Sequence, residues 1–249
     1  MPSLDELRAD EFNGVKHHFR PRLRILEIGG GTGYQASLIA AEGAIVDSID
    51  IVESPPSVPT YFPVRVYDGR NVQFPDEHFD VVFSSNVLEH IPHLEAALSE
   101  IRRVMKADGL AIHILPTPTW RTWTSLAHYV HIARRISSLF GGRSHKAESL
   151  SAGHDGQGST AGWWRMLKRL LGDGPHGEYP SALSELWYFS HRRCTNLFQK
   201  NGFRVVEARP SNIFYTGYGV FPFISMKKRR ALARILGSAT RIYILRKAP

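Results

Sequence analysis

Over the first half of the chain, short apolar runs ending in glycine or aspartate alternate with stretches that are apolar at helical spacing. Arg22-Leu-Arg-Ile-Leu-Glu-Ile28 closes on glycines and predicts a buried strand feeding a turn. The Ala- and Leu-rich segment Tyr34 to Glu42 predicts a helix stopped by Gly43. Ala44 to Ile51, Phe62 to Tyr67, Phe79 to Ser84 and Leu110 to Leu115 read as the next four strands, with a helix over Leu94 to Met105. Between the second and third strands, Glu53-Ser-Pro-Pro-Ser-Val-Pro predicts a loop, because proline lacks the amide donor and clashes with the preceding turn. Strands alternating with helices at this spacing predict an α/β class with a doubly wound, mostly parallel sheet.

An amphipathic segment, Leu4 to Phe19, precedes this pattern, and beyond Pro118 the rhythm breaks. Trp123, Leu126, Val130, Ala133 and Ile136 recur at helical spacing, and a Gly/Ser/His-rich stretch then runs from Gly141 to Gly162. The strand pattern resumes with a helix through Leu197 to Lys200 and strands at Phe203 to Ala208 and Arg241 to Arg246. We therefore divide the chain into an N-terminal helical segment (1–20), a core (21–118), an inserted helical cap (119–190) and the C-terminal part of the core (191–249).

At 249 residues with 43% hydrophobic and 22% charged side chains, the composition is that of an ordinary globular chain. Cys194 is the only cysteine, so no internal disulfide forms. The first residues lack the basic and apolar regions of a signal peptide, and no run approaches a membrane span, so a cytoplasmic protein is expected. The net charge of +8 conceals an asymmetry, with residues 1–118 carrying −7 and residues 119–249 carrying +15. An anionic partner would meet the later part of the chain.

Glu27-Ile-Gly29-Gly-Gly31-Thr-Gly33 lies between a predicted strand and helix, where glycines let the backbone turn sharply and approach a ligand. Asp50 ends the next strand, placed to accept hydrogen bonds from a ribose diol. A nicotinamide-binding fingerprint would need its third glycine one residue later, where Tyr34 stands.

With these residues the sequence resembles the class I S-adenosylmethionine-dependent methyltransferases, in particular the ubiquinone-biosynthetic and related small-molecule group. The resemblance implies a seven-stranded Rossmann-like sheet and S-adenosyl-L-methionine as cofactor, with Glu27, Gly29, Gly31 and Gly33 forming the glycine motif. It implies that Asp50 holds the ribose and Ile51 packs near adenine. Asp68-Gly-Arg-Asn-Val-Gln-Phe-Pro-Asp-Glu-His-Phe-Asp80 has the pattern of that group's Asp-to-Phe-Asp segment, which would bring Asp68 and Gly69 to the adenine amine. Ser84-Ser-Asn-Val-Leu-Glu-His-Ile91 matches the segment lining the methionine end, which implicates Ser85 and Asn86. The likeness covers residues 21–118 and 191–208 and leaves out the insertion.

A sulfonium methyl is already activated, so a general base is optional. Candidates for catalysis are His176 and Glu178, in a glycine-rich turn able to close over the cofactor, and His191, at the start of the returning helix. His113, alternating with Ile112 and Ile114, reads as a core histidine. Glu89-His90 forms part of a Glu-x-x-Glu-His motif with which some relatives hold a divalent ion, but Asn86 replaces the first Glu and no metal is expected.

Trp163 to Leu171 places six apolar side chains opposite Arg165, Lys168 and Arg169, a pattern suited either to a membrane interface or to docking on the core. Met226-Lys-Lys-Arg-Arg230 adds a positive cluster. The expected acceptor is a small molecule methylated on oxygen, a lipid-linked or phosphorylated glycan or lipid precursor, with peripheral membrane contact. RNA methylation is favoured by charge alone, without an RNA-binding signature, and a non-catalytic cofactor-binding regulator is the third reading.

Overall fold

The computed structural model describes residues 4–53, 55, 57–140, 176–177, 181–217 and 223–249, with the backbone alone over 135–140. Its centre is a seven-stranded sheet of β1 (Arg24–Ile28), β2 (Ile45–Asp50), β3 (Arg65–Val66), β4 (Phe79–Ser85), β5 (Met105–Pro116), β6 (Phe203–Pro210) and β7 (Thr240–Lys247). The strand order is β3-β2-β1-β4-β5-β7-β6. Only β7 runs against its neighbours, pairing antiparallel with both β5 and β6.

Side-chain alternation along the strands divides the core in two. On one face Ile25, Val81, Phe83, Ile112, Ile114, Ile242 and Ile244 pack under α1 (Leu4–Val15), which contributes Phe12 and Val15, and under α2 (Tyr34–Ala41), which contributes Ile39. The opposite face carries Leu26, Val82, Leu115, Tyr243 and Leu245. It is covered by α3 (Leu94–Val104) through Leu98 and Ile101, and by the later helix His191–Lys200 through Cys194 and Phe198. Because β1 and β4 are neighbours while their connections leave in opposite directions, the crevice at their carboxyl ends is the natural ligand site of such a sheet.

The expected loop after β2 is present, but β3 is confined to Arg65–Val66, which pair with Ile49 and Asp50 at the end of β2. Strand β5 starts at Met105, directly from the end of α3, and a register shift against β4 between Phe79 and Val81 absorbs the extra residues. Within the stretch read from the sequence as a cap (119–190), the described residues form α4 (Pro118–Phe140) and α5 (Ala182–Tyr188), which precedes α6 (His191–Lys200). Ser181 and Ser184 form a reciprocal capping box on α5. The buried ion pair Arg121–Glu185, at 2.9 Å, ties α4 to α5. The positive cluster at Met226–Arg230 starts a further helix, α7 (Met226–Leu236), whose Arg229 is buried and donates to the carbonyls of Ile224 and Phe214. The Trp163–Leu171 stripe and Glu178 lie outside the described residues. Among the described residues no helix is long and apolar enough to cross a membrane.

Candidate functional site

The loop after β1 is shaped by close approaches at two of its glycines and open space at a third. A Cβ at Gly29 would stand 2.2 Å from the Val87 side chain, and one at Gly33 would stand 2.4 Å from the Phe62 carbonyl. At Gly31, by contrast, a Cβ would meet nothing within 4 Å, so the space beside it is open. The Gly31 amide donates to Asp50 Oδ2 at 2.8 Å, and the Ile51 amide donates to Oδ1 at 2.6 Å. These bonds fix the Asp50 carboxylate at the rim of a cleft of about 400 Å³ that Gly29, Gly30, Gly31, Asp50, Ile51, Tyr67, Ser85, Asn86 and His90 help to line.

Glu27 supports this loop from beneath. It is buried, accepts from Ser48 Oγ at 2.6 Å, and is bonded by the Ala36 amide. Burial pushes its carboxyl up to about 7, with the charge of Asp50 adding to the rise and the bond from Ser48 opposing it. Gly33, Asp68 and Gly69 are likewise behind the lining. The Asp68 carboxylate accepts from the Arg70 and Asn71 amides and from Asn71 Nδ2, and these bonds hold its pKa below the ordinary value. Gly69 touches the site through Ile51, whose Cγ2 a Cβ would approach to 3.1 Å.

At the far end of the cleft α1 brings in residues that the sequence reading passed over. Leu4, Asp5 and Arg8 line the cleft. Behind them the buried Glu11 carboxylate accepts from Arg8 at 2.6 Å, Ser85 Oγ at 3.1 Å, Tyr215 at 3.2 Å and Thr240 Oγ1 at 3.1 Å, with Asn86 Nδ2 at 3.4 Å. Burial pulls the Arg8 guanidinium down, but Glu11 and Tyr215 outweigh it and raise its pKa. The available signal was the spacing of Asp5, Arg8 and Glu11, which puts polar groups on one side of an otherwise core-facing helix.

A second cavity, of about 440 Å³, adjoins the cleft at Ile91 and is lined by Leu88, Glu89, Leu94, Leu115, Phe189 and Arg193, among others. Glu89 is 3% exposed, and neither of its carboxylate oxygens has a hydrogen-bond partner among the described residues. Burial pushes its carboxyl up to about 8, and the nearby backbone amide of Glu89 itself and the charge of Arg8 only partly oppose this.

Of the catalytic candidates, His176 is brought beside His90, with ring centroids 4.8 Å apart, and beside Trp120 at 4.6 Å. His191 is placed elsewhere, with its ring against Tyr243 and Nδ1 3.4 Å from that hydroxyl. It lines neither the cleft nor the cavity. His113 is a core residue, bonded through Nδ1 to Ser84 at 2.8 Å and driven down to about 3 by burial.

Residues 6–208 match a family model described as a methyltransferase domain. The chain is 33% identical over 113 residues to the ubiquinone/menaquinone biosynthesis C-methyltransferase UbiE of Cupriavidus necator, covering 41% of this chain and 46% of that protein. It is 31% identical over 125 residues to the biotin biosynthesis bifunctional protein BioHC of Cellvibrio japonicus, covering 46% of this chain and 25% of that one. The matches thus span half or less of these curated relatives. Among solved structures, an S-adenosylmethionine-dependent methyltransferase from Mesorhizobium loti superposes with a TM-score of 0.53 at 15% identity, over 96% of this chain and 98% of that one. One from Archaeoglobus fulgidus gives 0.52 at 19%, over 98% and 94%. Both likenesses concern the fold.

Proposed function

The chain belongs to the methyltransferase domain family and is an S-adenosylmethionine-dependent enzyme, and from that premise we propose that its acceptor is a hydroxylated small molecule methylated on oxygen. The observation that carries this reading is the largely apolar cavity sharing Ile91 with the cofactor cleft. Its volume suits a compact organic molecule. Arg193 on its wall offers a cation to an anionic group, which fits a phosphorylated or lipid-linked acceptor.

The cleft residues fit the cofactor. The open space at Gly31 admits a ligand against the backbone, Asp50 presents lone pairs to a ribose diol, and the exposed Ile51 side chain offers an apolar surface to a base. Arg8, Ser85 and Asn86 stand at the opposite end, where a carboxylate and an ammonium group need polar partners. When bound, S-adenosylmethionine supplies a methyl group already activated on a sulfonium. The remaining tasks of the chain are to hold an acceptor oxygen in line with that group, to let the hydroxyl proton leave as S-adenosylhomocysteine forms, and to limit water around the reacting atoms, which the buried residues Leu88, Leu115 and Phe189 of the cavity wall favour.

The likeness to quinone C-methyltransferases favours a second reading, methylation of an activated ring carbon. Incubating the purified chain with cell extract and cofactor labelled with carbon-13 in its methyl group tests both. Mass spectrometry identifies the labelled product, and the methyl carbon shift tells an ether from a ring methyl. Label on a ring carbon would establish the second reading, and label confined to RNA would overturn both.

A further inference from the structure

We propose that Glu89, His90 and His176 form a binding site for a divalent transition-metal cation of the zinc class, at the junction of the cofactor cleft and the neighbouring cavity. The sequence supplied only two of these residues side by side, with Asn86 where a further carboxylate would have stood. The fold brings the third. One ligand atom from each of the three residues lies within 4.8 Å of the others, and Glu89 Oε1 is 3.9 Å from His90 Nε2. Bonds of about 2.0–2.2 Å to a tetrahedral ion separate its ligands by roughly 3.4 Å, so rotations of the partly exposed imidazoles close the site.

Three features support a ligand role beyond ring stacking between His90 and His176. The first is charge. Glu11 is paired with Arg8 at 2.6 Å and Glu185 with Arg121 at 2.9 Å, which leaves the buried Glu89 carboxylate without an equivalent cation among the described residues. A buried carboxyl ionises only against a compensating charge, which a bound cation provides. The second is preorganisation. Glu185 Oε1 accepts from the backbone amides of His176 and Gly177 at 2.6 and 2.8 Å, so the turn is held while the imidazole stays directed at His90. The third is close approach. A Cβ at Gly177 would lie 2.3 Å from the Glu89 carbonyl, and the absence of one lets His176 come alongside Glu89.

Two imidazoles and one carboxylate are donors for zinc, cobalt, iron or manganese, whereas magnesium and calcium prefer oxygen alone. Three protein ligands also leave a coordination position open. With His90 lining the cleft and Glu89 lining the cavity, that position falls where the two meet. An acceptor oxygen would occupy it, and in this last step alone the inference rests on the small-molecule reading above.

The test uses the full chain stripped with chelator and titrated with Zn²⁺ against a chromophoric chelator, with Co²⁺ as a visible-absorption probe and Mg²⁺ for comparison. The expected result is stoichiometric Zn²⁺ and Co²⁺ binding, with Mg²⁺ at least about a hundredfold weaker. Glu89→Gln and His176→Asn should each weaken Zn²⁺ binding by about tenfold or more, while S-adenosylhomocysteine affinity, measured on the same samples, shows that both variants are folded. Absence of stoichiometric Zn²⁺ and Co²⁺ binding, or equal binding by wild type and both folded variants, overturns the site. No acceptor enters this titration. Intact Zn²⁺ binding alongside methyl transfer to RNA alone would uphold the metal site and overturn the acceptor assignment.

Discussion

Replacing Glu27 with Gln should stabilise the cofactor-free protein increasingly as pH rises. Glu27 sits 2% exposed under the glycine loop, and its carboxyl titrates at about 7 in the folded chain against an ordinary value of 4.5. Below pH 4.5 both folded and unfolded states hold the proton, and the group's contribution is fully present. Between pH 4.5 and about 7 the unfolded chain has lost its proton while the folded chain keeps it, so stability falls by up to about 1.4 kcal/mol per pH unit. Above about 7 the loss is complete. The difference of roughly 2.5 pH units corresponds to about 3 kcal/mol.

Glu27→Gln removes this titration. It also disturbs the bonds from Ser48 and Ala36, but that offset does not depend on pH. Urea melts of both proteins at pH 5, 6, 7 and 8 should therefore give a stability difference that rises in favour of Gln and levels off near pH 8. Because Asp50 contributes to the raised value, Asp50→Asn should shift the rise to lower pH. A difference that stays flat within about 0.5 kcal/mol from pH 5 to 8 would refute the reasoning.

Asp50→Ala should weaken S-adenosylhomocysteine binding by about tenfold or more in calorimetry, since charge-assisted hydrogen bonds contribute about 1.5–3 kcal/mol each; unchanged affinity in a folded variant would remove Asp50 from the site. His113, fully buried and titrating at about 3 against 6.5 when unfolded, should make the protein lose on the order of 4 kcal/mol as pH falls from 6.5 towards 3. His113→Gln should abolish that slope in acid melts while leaving its hydrogen-bonding partner Ser84 a side chain to bond. Glu185→Ala breaks the buried ion pair with Arg121 and should cost about 3–5 kcal/mol in denaturant melts.

The parts legible in the sequence are those set by neighbours in the chain. Strand β1, the glycine loop and α2 are contiguous, and the residues that define them stand within about twenty positions, so their pattern survives in one dimension. The position of Asp50 beside the loop was readable for the same reason, because the end of β2 follows the loop at a fixed remove in a βαβ unit. The polar network at Glu11 was not. Its partners lie 3, 74, 204 and 229 positions away, and no local pattern announces that Arg8, Ser85, Tyr215 and Thr240 converge on one carboxylate. Helix α7 was hidden by composition, because its buried residues are Arg229, bonded to carbonyls, and the small Ala233, where a stripe of large apolar side chains would have announced it.

The segment after β4 shows how one stretch of sequence came to be only half read. Ser85 and Asn86 were placed at the cofactor, and both line the cleft. Three residues on, Glu89 faces the neighbouring cavity and His90 the cleft, so the short helical turn at Leu88–His90 divides its side chains between two chambers. Sequence spacing records that Glu89 and His90 are adjacent, but not that they point to different spaces. The third member of the group comes from position 176, fixed by Glu185 through a pair of backbone amides. A carboxylate on α5, paired with an arginine on α4, thus holds the turn that brings His176 beside His90. That relation exists only in the folded chain, and in the metal site we propose it would let His176 stand in for the carboxylate that Asn86 lacks.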